Sequence, residues 1–160
     1  MAKNNFFPFF IDLTGKNILV IGAGKVAARK ITTLLSLGAH ILIYTKQIKD
    51  KSITSFLFDK KNIQLIMKEI KEENFEEFIT KDAFMVIAAT DDKELNEQIT
   101  NYCKDKNILI NNVSSSDNMT VRFCSVIENQ NYKIGISANG DPKKSLLLKN
   151  KIEKFLENKN

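Results

Sequence analysis

The chain has no tryptophan, one histidine, two prolines and two cysteines, and each scarcity excludes something. His40 is the lone imidazole, and Cys103 and Cys124 show no C-x-x-C spacing. A structural zinc needs three or four nitrogen and sulfur ligands, so no metal site is expected. Two unspaced cysteines point to reduced thiols in a cytoplasmic protein rather than to a disulfide framework. No apolar run reaches the roughly 18 residues of a membrane span, so no membrane partner is expected. The aromatic start, Phe6, Phe7, Phe9 and Phe10 broken by Pro8, lacks the basic leader and small-residue cleavage site of a signal peptide. It reads as a segment that packs against the fold. The net charge of +5 and pI of about 9.1 come from lysines spread along the chain beside Glu and Asp. Without a clustered basic face, nucleic acid is not an expected partner.

What is present is a soluble-core composition, 43% hydrophobic over 160 residues, arranged as alternating strand and helix patterns. Asn17 to Ile21 is a continuous apolar run ending in Gly22, as in a strand buried on both faces. Lys25 to Leu37 is helical, with Val26, Ala27, Ile31, Leu34 and Leu35 on one face and Gly38 as its stop. His40 to Tyr44 completes a βαβ unit. Ile63 to Met67 reads as a third strand, Glu72 to Ile79 as a helix, Ala83 to Ala89 as a fourth strand, Glu94 to Lys104 as a helix and Asn107 to Val113 as a fifth strand. This alternation predicts a Rossmann-type, doubly wound parallel sheet over residues 1–113. From Ser114 the pattern changes. Val121 to Glu128 and Tyr132 to Ala138 form a hairpin across Asn129-Gln130-Asn131, and Lys143 to Asn158 reads as a closing helix. Residues 114–160 are therefore expected to form a small second module.

Gly22-Ala23-Gly24-Lys25-Val26-Ala27 is G-x-G-x-x-A, placed between a buried strand and a helix inside a βαβ unit. In that setting Gly22 permits the tight turn, Gly24 admits a pyrophosphate to the backbone, and the first helical N–H groups face it. The motif predicts a nicotinamide dinucleotide. The acid that usually grips the adenine ribose after the second strand is missing, for the chain there runs Tyr44-Thr45-Lys46-Gln47. Either Thr45, Lys46 and Gln47 hold the ribose by other hydrogen bonds or Lys46 accepts a 2′-phosphate, so NAD is expected with NADP open. Thr90, at the C-terminal end of the fourth strand, lies on the ligand side of the sheet and reads either as a contact to the nicotinamide ribose or as a helix cap.

The ordered set Phe7-Pro8-Phe9-Phe10-Ile11-Asp12-Leu13, Val20 to Ala27, Arg29-Lys30, Ile87-Ala88-Ala89-Thr90-Asp91-Asp92, Asn111-Asn112-Val113 and Ile136-Ser137-Ala138-Asn139-Gly140 resembles the precorrin-2 dehydrogenase (siroheme synthase N-terminal) family from about Phe6 to Phe155. The resemblance implies oxidation of precorrin-2 to sirohydrochlorin with NAD, iron insertion in some members, and a homodimer formed through the segment after the Rossmann domain. It places cofactor contacts at Gly22, Gly24, Lys25, Val26, Lys46 and Gln47. The substrate it implies is an anionic tetrapyrrole, which Arg122, Lys143 and Lys144 would meet; both lysines also read as ordinary surface residues. Two features depart from the family. Ser114 stands where an aspartate proposed as acid/base and metal-site residue usually follows Asn-x-Val, leaving Asp117 as the nearby carboxylate. A serine hydroxyl is a poor base and a weak metal ligand, so iron insertion is expected to be weak or absent. Many members also continue past the equivalent of Asn160, which weakens both activities on paper. A non-catalytic tetrapyrrole-binding or pathway-partner protein is the alternative.

Overall fold

The computed structural model describes residues 5–59 and 61–157. Residues 11–121 form one compact unit; those up to Phe10 and those from Arg122 onward form another.

The first unit is a five-stranded parallel sheet, β1 (Asn17–Ile21), β2 (His40–Thr45), β3 (Ile63–Met67), β4 (Met85–Ala88) and β5 (Leu109–Asn112), in the order β3-β2-β1-β4-β5. This is the doubly wound arrangement the alternation predicts. β1 and β4 lie centrally, and every residue of β4 is buried. Being covered on both faces, they need apolar side chains at consecutive positions, which explains the runs Ile-Leu-Val-Ile and Met-Val-Ile-Ala. Leu19, Ile21, Val86, Ala88 and Ile110 pack with Leu95, Ile99 and Cys103 on one side. Burial there pushes the Cys103 thiol up to about 12, which keeps it protonated and inert.

The helix α1 (Lys25–Ser36) buries Ala27, Ala28, Ile31, Leu34 and Leu35. Val26 does not belong to that face: it is 41% exposed, and Ala28 takes the inward position. The helix ends at Leu37 and Gly38, whose φ is +77°. Gly38 N donates to Leu35 O and Ala39 N to Leu34 O, both at 3.2 Å, the paired bonds of a left-handed glycine cap. A second helix, α2 (Ser52–Asp59), was not expected from Ser-Ile-Thr-Ser-Phe-Leu-Phe, whose residues are indifferent helix formers. Its start is fixed by Asp50 Oδ1, which accepts from Ser52 N at 3.0 Å and Ser52 Oγ at 2.6 Å. The helix read over Glu72 to Ile79 is reduced to a 3-10 turn at Phe75–Phe78. Asn74 Oδ1 accepts from Lys71 N at 2.9 Å, so a side-chain turn replaces the first helical turn. Phe75 and Ile79, whose spacing imitated a helical stripe, are plugs in the sheet's core. Next, α3 (Lys93–Asp105) is capped by Asp92, whose Oδ1 accepts from Glu94 N at 2.9 Å and Leu95 N at 3.1 Å. Residues 114–121 remain with the sheet, since Thr120 N and Val121 N both donate to Ile110 O at 3.0 Å.

In the second unit β6 (Ser125–Glu128) and β7 (Lys133–Ile136) pair antiparallel, with Glu128 opposite Lys133. Val121 to Cys124, read as strand, has no ladder. Asn129 Oδ1 closes the turn by accepting from Asn131 N and Tyr132 N. The last helix, α4 (Pro142–Glu157), starts on Asp141, whose Oδ1 accepts from Lys143 N and Lys144 N at 3.0 Å. Those bonds, the Lys144 amide foremost, hold the Asp141 carboxyl below its usual range. Asn158, the expected end of this helix, lies outside the described residues. The N-terminal aromatics do not pack inward as expected: Phe7, Phe9 and Phe10 are 80%, 68% and 72% exposed.

Gly22 directly follows β1 at φ +108°, and a Cβ there would lie 2.2 Å from the carbonyl oxygen of Ala89. Gly22→Ala is expected to cost about 3 kcal/mol or more, combining a left-handed backbone with a clash against rigid backbone. Gly15, at φ +67° with nothing within 4 Å of a Cβ, is the control: Gly15→Ala should cost only about 1–2 kcal/mol. Urea unfolding of the two variants measures the difference.

Candidate functional site

The chain runs outward from β1 through β2 to β3, then returns to β4 on the other side of β1. Loops leaving two adjacent strands in opposite directions open a crevice at the strands' C-terminal ends. Here a cleft of about 570 Å³ lies at that point. Its walls are the Gly22–Gly24 turn, Thr45 to Gln47 and Lys49 after β2, residues 69–73 after β3, and residues 89–92 after β4. Of the sequence-predicted residues, Gly22, Gly24, Lys46, Gln47 and Thr90 line it. Lys25 and Val26 do not line it; they occupy the first turn of α1, and the Val26 side chain is turned to solvent.

Two helices begin at this cleft, and their N-termini differ. Asp92 supplies α3 with a carboxylate of its own. The cap residue of α1 is Gly24, no side chain accepts from its first turn, and no acid lies in that turn. The first N–H groups of a helix have no intrahelical acceptor and carry the positive end of the helix dipole. A Cβ on Gly24 would meet nothing within 4 Å, and its φ of −91° is open to any residue. Neither packing nor backbone strain requires glycine there, so the free space over Gly24 is room for a ligand. An uncapped helix start beside an open glycine is a receptor for an anion the size of a diphosphate.

The loops around the turn are tied down. Lys49 N and Asp50 N donate to Ala23 O at 3.0 and 3.3 Å, and the Lys49 ammonium pairs with the Asp91 carboxylate. Because β1 lies between β2 and β4, that pair joins loops on either side of the glycine turn. Lys46 Nζ donates to Glu69 Oε1 at 2.7 Å, which raises the lysine's pKa and lowers the glutamate's.

Behind Thr90 lies a polar network that spacing alone did not reveal. Asn96 is fully buried on α3. Its Oδ1 accepts from Thr90 N at 3.1 Å and Thr90 Oγ1 at 2.8 Å; its Nδ2 donates to Thr90 O and Ser114 Oγ, both at 3.1 Å. Ser114 Oγ in turn donates to Asn112 Oδ1 at 2.7 Å. Asn112 Nδ2 donates to Glu97 Oε1 at 2.9 Å. The Ser114 hydroxyl thus spends its proton on Asn112 and a lone pair on Asn96. Asp117 is exposed, accepts from Ser116 Oγ at 2.9 Å, and like Ser114 is not among the residues lining the cleft. The sequence signal for Asn96 was a polar residue inside the apolar stripe Leu95, Ile99, Cys103. Glu69 and Lys49 had no such signal, being charged residues in loops.

In the other unit the Arg122 guanidinium lies 4.2 Å from the centre of the Phe6 ring, and Gly140, at φ +89°, closes against it. Lys144 Nζ is 3.6 Å from Asp141 Oδ2, while Lys143 is exposed in the same turn. Among the described residues no group of three or more His, Cys, Asp or Glu side chains is placed to hold a metal ion, and no helix is long and apolar enough to cross a membrane.

Comparison with known proteins follows the same lines. Residues 9–125 match the profile of a family described as "putative NAD(P)-binding". The chain is 34% identical over 153 residues to the siroheme synthase of Mannheimia succiniciproducens, covering 95% of this chain and 31% of that protein. It is 32% identical over 160 residues to the siroheme synthase of Buchnera aphidicola, covering 97% and 32%. It therefore spans about a third of the length of these curated relatives. A solved precorrin-2 dehydrogenase, SirC, shares the fold with a TM-score of 0.69 at 23% identity, covering 97% of this chain and 71% of that one.

Replacing Asn96 by alanine removes the partner of four Thr90 and Ser114 groups at once. Asn96→Ala is expected to destabilise the fold by about 2 kcal/mol or more, since half-satisfied buried networks cost the desolvation of each orphaned group. Denaturant unfolding of the variant checks this.

Proposed function

The chain belongs to this NAD(P)-binding family, and from that premise we propose that it catalyses the NAD-dependent oxidation of precorrin-2 to sirohydrochlorin. The observation that carries the reading is the uncapped N-terminus of α1 over the open space at Gly24, in a chain more than 30% identical to two siroheme synthases. In this reading Gly22, Gly24 and the first-turn amides of Lys25 and Val26 hold the diphosphate. Lys46 and Gln47 meet the adenosine end, and Thr90 meets the nicotinamide ribose. NAD bound in this way supplies the hydride acceptor. NADP is the competing cofactor.

We assign the unit that holds the hairpin and α4, from Arg122 onward rather than from Ser114, to substrate binding and dimerisation. Arg122, Lys143 and Lys144 supply cations for the carboxylates of an anionic tetrapyrrole, Arg122 being oriented by its stacking on Phe6. With its hydroxyl engaged at both ends, Ser114 organises the 112–118 loop, and proton transfer falls to Asp117, the carboxylate of that loop. A serine in place of the aspartate also makes iron insertion weak or absent. The same substitution favours a second reading, a non-catalytic tetrapyrrole-binding or pathway-partner protein.

Two copies of the chain would resolve the apolar surface of the second unit. Leu146, Leu147 and Phe155 of α4 are 53%, 62% and 58% exposed, and among the described residues of the helix only Ser145 is buried. Exposed apolar side chains of this kind, with Phe7, Phe9 and Phe10 exposed in the same unit, suit self-association better than contact with water. We assign the protein to the cytoplasm, a reading supported by its two free cysteines, Cys103 and Cys124.

Mixing the purified chain with NAD and precorrin-2 is expected to produce NADH absorbance together with sirohydrochlorin. Asp117→Asn should lower kcat by about 10²-fold while leaving the NAD dissociation constant unchanged. Tetrapyrrole binding without NADH formation would move the assignment to the second reading; absence of both ends the proposal. For the dimer, Leu147→Glu is expected to shift the sedimentation coefficient to that of a monomer, whereas an unchanged coefficient removes α4 from the interface.

A further inference from the structure

Rossmann domains that bind NAD usually set an acid after the second strand to grip the adenosine ribose. This chain has none there: β2 runs into Lys46 and Gln47. The position is nevertheless not without a carboxylate. Lys68 N donates to Thr45 O at 2.9 Å, carrying the β2–β3 ladder one residue past Met67. That bond sets the segment after β3 alongside the segment after β2, and Glu69 comes to rest on Lys46 with 2.7 Å between Oε1 and Nζ. Both residues line the cleft that contains Gly22 and Gly24. Thr45 braces the strand end, its Oγ1 donating to Gln47 O at 2.8 Å.

We propose that Glu69, carried by the neighbouring strand, replaces the missing acid: its carboxylate accepts the hydroxyls of the adenosine ribose, and the Lys46–Glu69 pair turns away a 2′-phosphate. The inference rests on the dinucleotide reading above and adds its selectivity. Lys46 on its own would favour NADP, since an ammonium at a strand end is a natural partner for a 2′-phosphate. Here its charge is already committed to Glu69. A 2′-phosphate would have to displace that carboxylate and stay beside it. The cleft is lined by Glu69, Glu72, Glu73, Asp91 and Asp92 against Lys46, Lys49 and Lys71, so acids outnumber lysines and the local field is unfavourable to a further anion. A ribose diol, by contrast, brings two donors to a carboxylate that holds spare lone pairs. The side chains of Lys46 and Glu69 are 65% and 46% exposed, so the discrimination is screened and moderate.

Calorimetric titration of the full chain with NAD and with NADP tests the assignment. The unmodified protein is expected to bind NAD about tenfold more tightly than NADP or better. Glu69→Ala should weaken NAD by about tenfold and strengthen NADP, because Lys46 is released to the 2′-phosphate; adding Lys46→Ala should abolish that gain. Far-ultraviolet dichroism and the unfolding midpoint should not move, since neither side chain is buried. If NAD binds the unmodified chain and Glu69→Ala leaves the NAD-to-NADP ratio unchanged, or if the unmodified chain prefers NADP, Glu69 has no such role while the dinucleotide reading stands. If neither nucleotide binds the unmodified chain, the dinucleotide reading itself fails and takes this inference with it.

Discussion

The turn at Gly22 exists because no Cβ separates it from the carbonyl of Ala89, and the rest of the candidate site is hung on that close approach. β1 and β4 are neighbours in the sheet, with Ile21 opposite Ala88. For the chain to leave β1 into a helix on one face while β4 leaves toward the other, their ends must pass at backbone distance. Gly22 N is also held by Tyr44 O at 2.8 Å, so the turn is pinned from both flanking strands at once. A turn pinned in this way delivers α1 with its first amides pointing over the strand ends rather than into the protein. The cleft follows from strand order; its capacity to take an anion follows from the chain declining to cap α1 while capping α3 with Asp92.

The fold was legible wherever both faces of an element are buried or a glycine ends it. β1 and α1 have the expected extents to within a residue because Ile-Leu-Val-Ile and the Gly38 stop are local signals of global burial; β3, an edge strand with three exposed residues, keeps its expected extent without either signal. The reading failed where side chains override periodicity. Asn74 converts an amphipathic-looking stretch into a 3-10 turn, and Asp50 nucleates a helix in a sequence with little propensity for one. The exposed N-terminal phenylalanines failed for a different reason, because pattern says that apolar residues will be covered and not which molecule will cover them.

Of the site, the phosphate-facing turn was readable because its spacing is a backbone requirement. The adenosine end was not, because the carboxylate arrives from a strand 23 residues away in sequence, through a register that only the β2–β3 ladder defines. The Asn96 network was half readable. A buried asparagine one helical turn from its own cap must satisfy three or four hydrogen-bonding sites, and nothing in the sequence names Thr90 and Ser114 as the groups that do so.

That network bears on the proposed chemistry more than does the serine, set against the aspartate that the resemblance led one to expect at position 114. A serine at position 114 forfeits a base, yet its hydroxyl gives the loop a contact that an ionised carboxylate would make differently. As donor to Asn112 Oδ1 it fills a site that a carboxylate, an acceptor only, would repel. Asn112 in turn turns its amide to Glu97, so an aspartate at 114 would ask Asn112 to reverse and set its oxygen against the Glu97 carboxylate. The serine is therefore consistent with its surroundings rather than an isolated loss: Asn96, Asn112 and Glu97 are arranged for a hydroxyl. On the proposed reading, Thr90 and Asn96 brace the nucleotide cleft, and proton transfer falls to Asp117, an exposed carboxylate of the same loop. Catalysis of the proposed oxidation would then rest on cofactor placement and substrate charge pairing more than on a poised base.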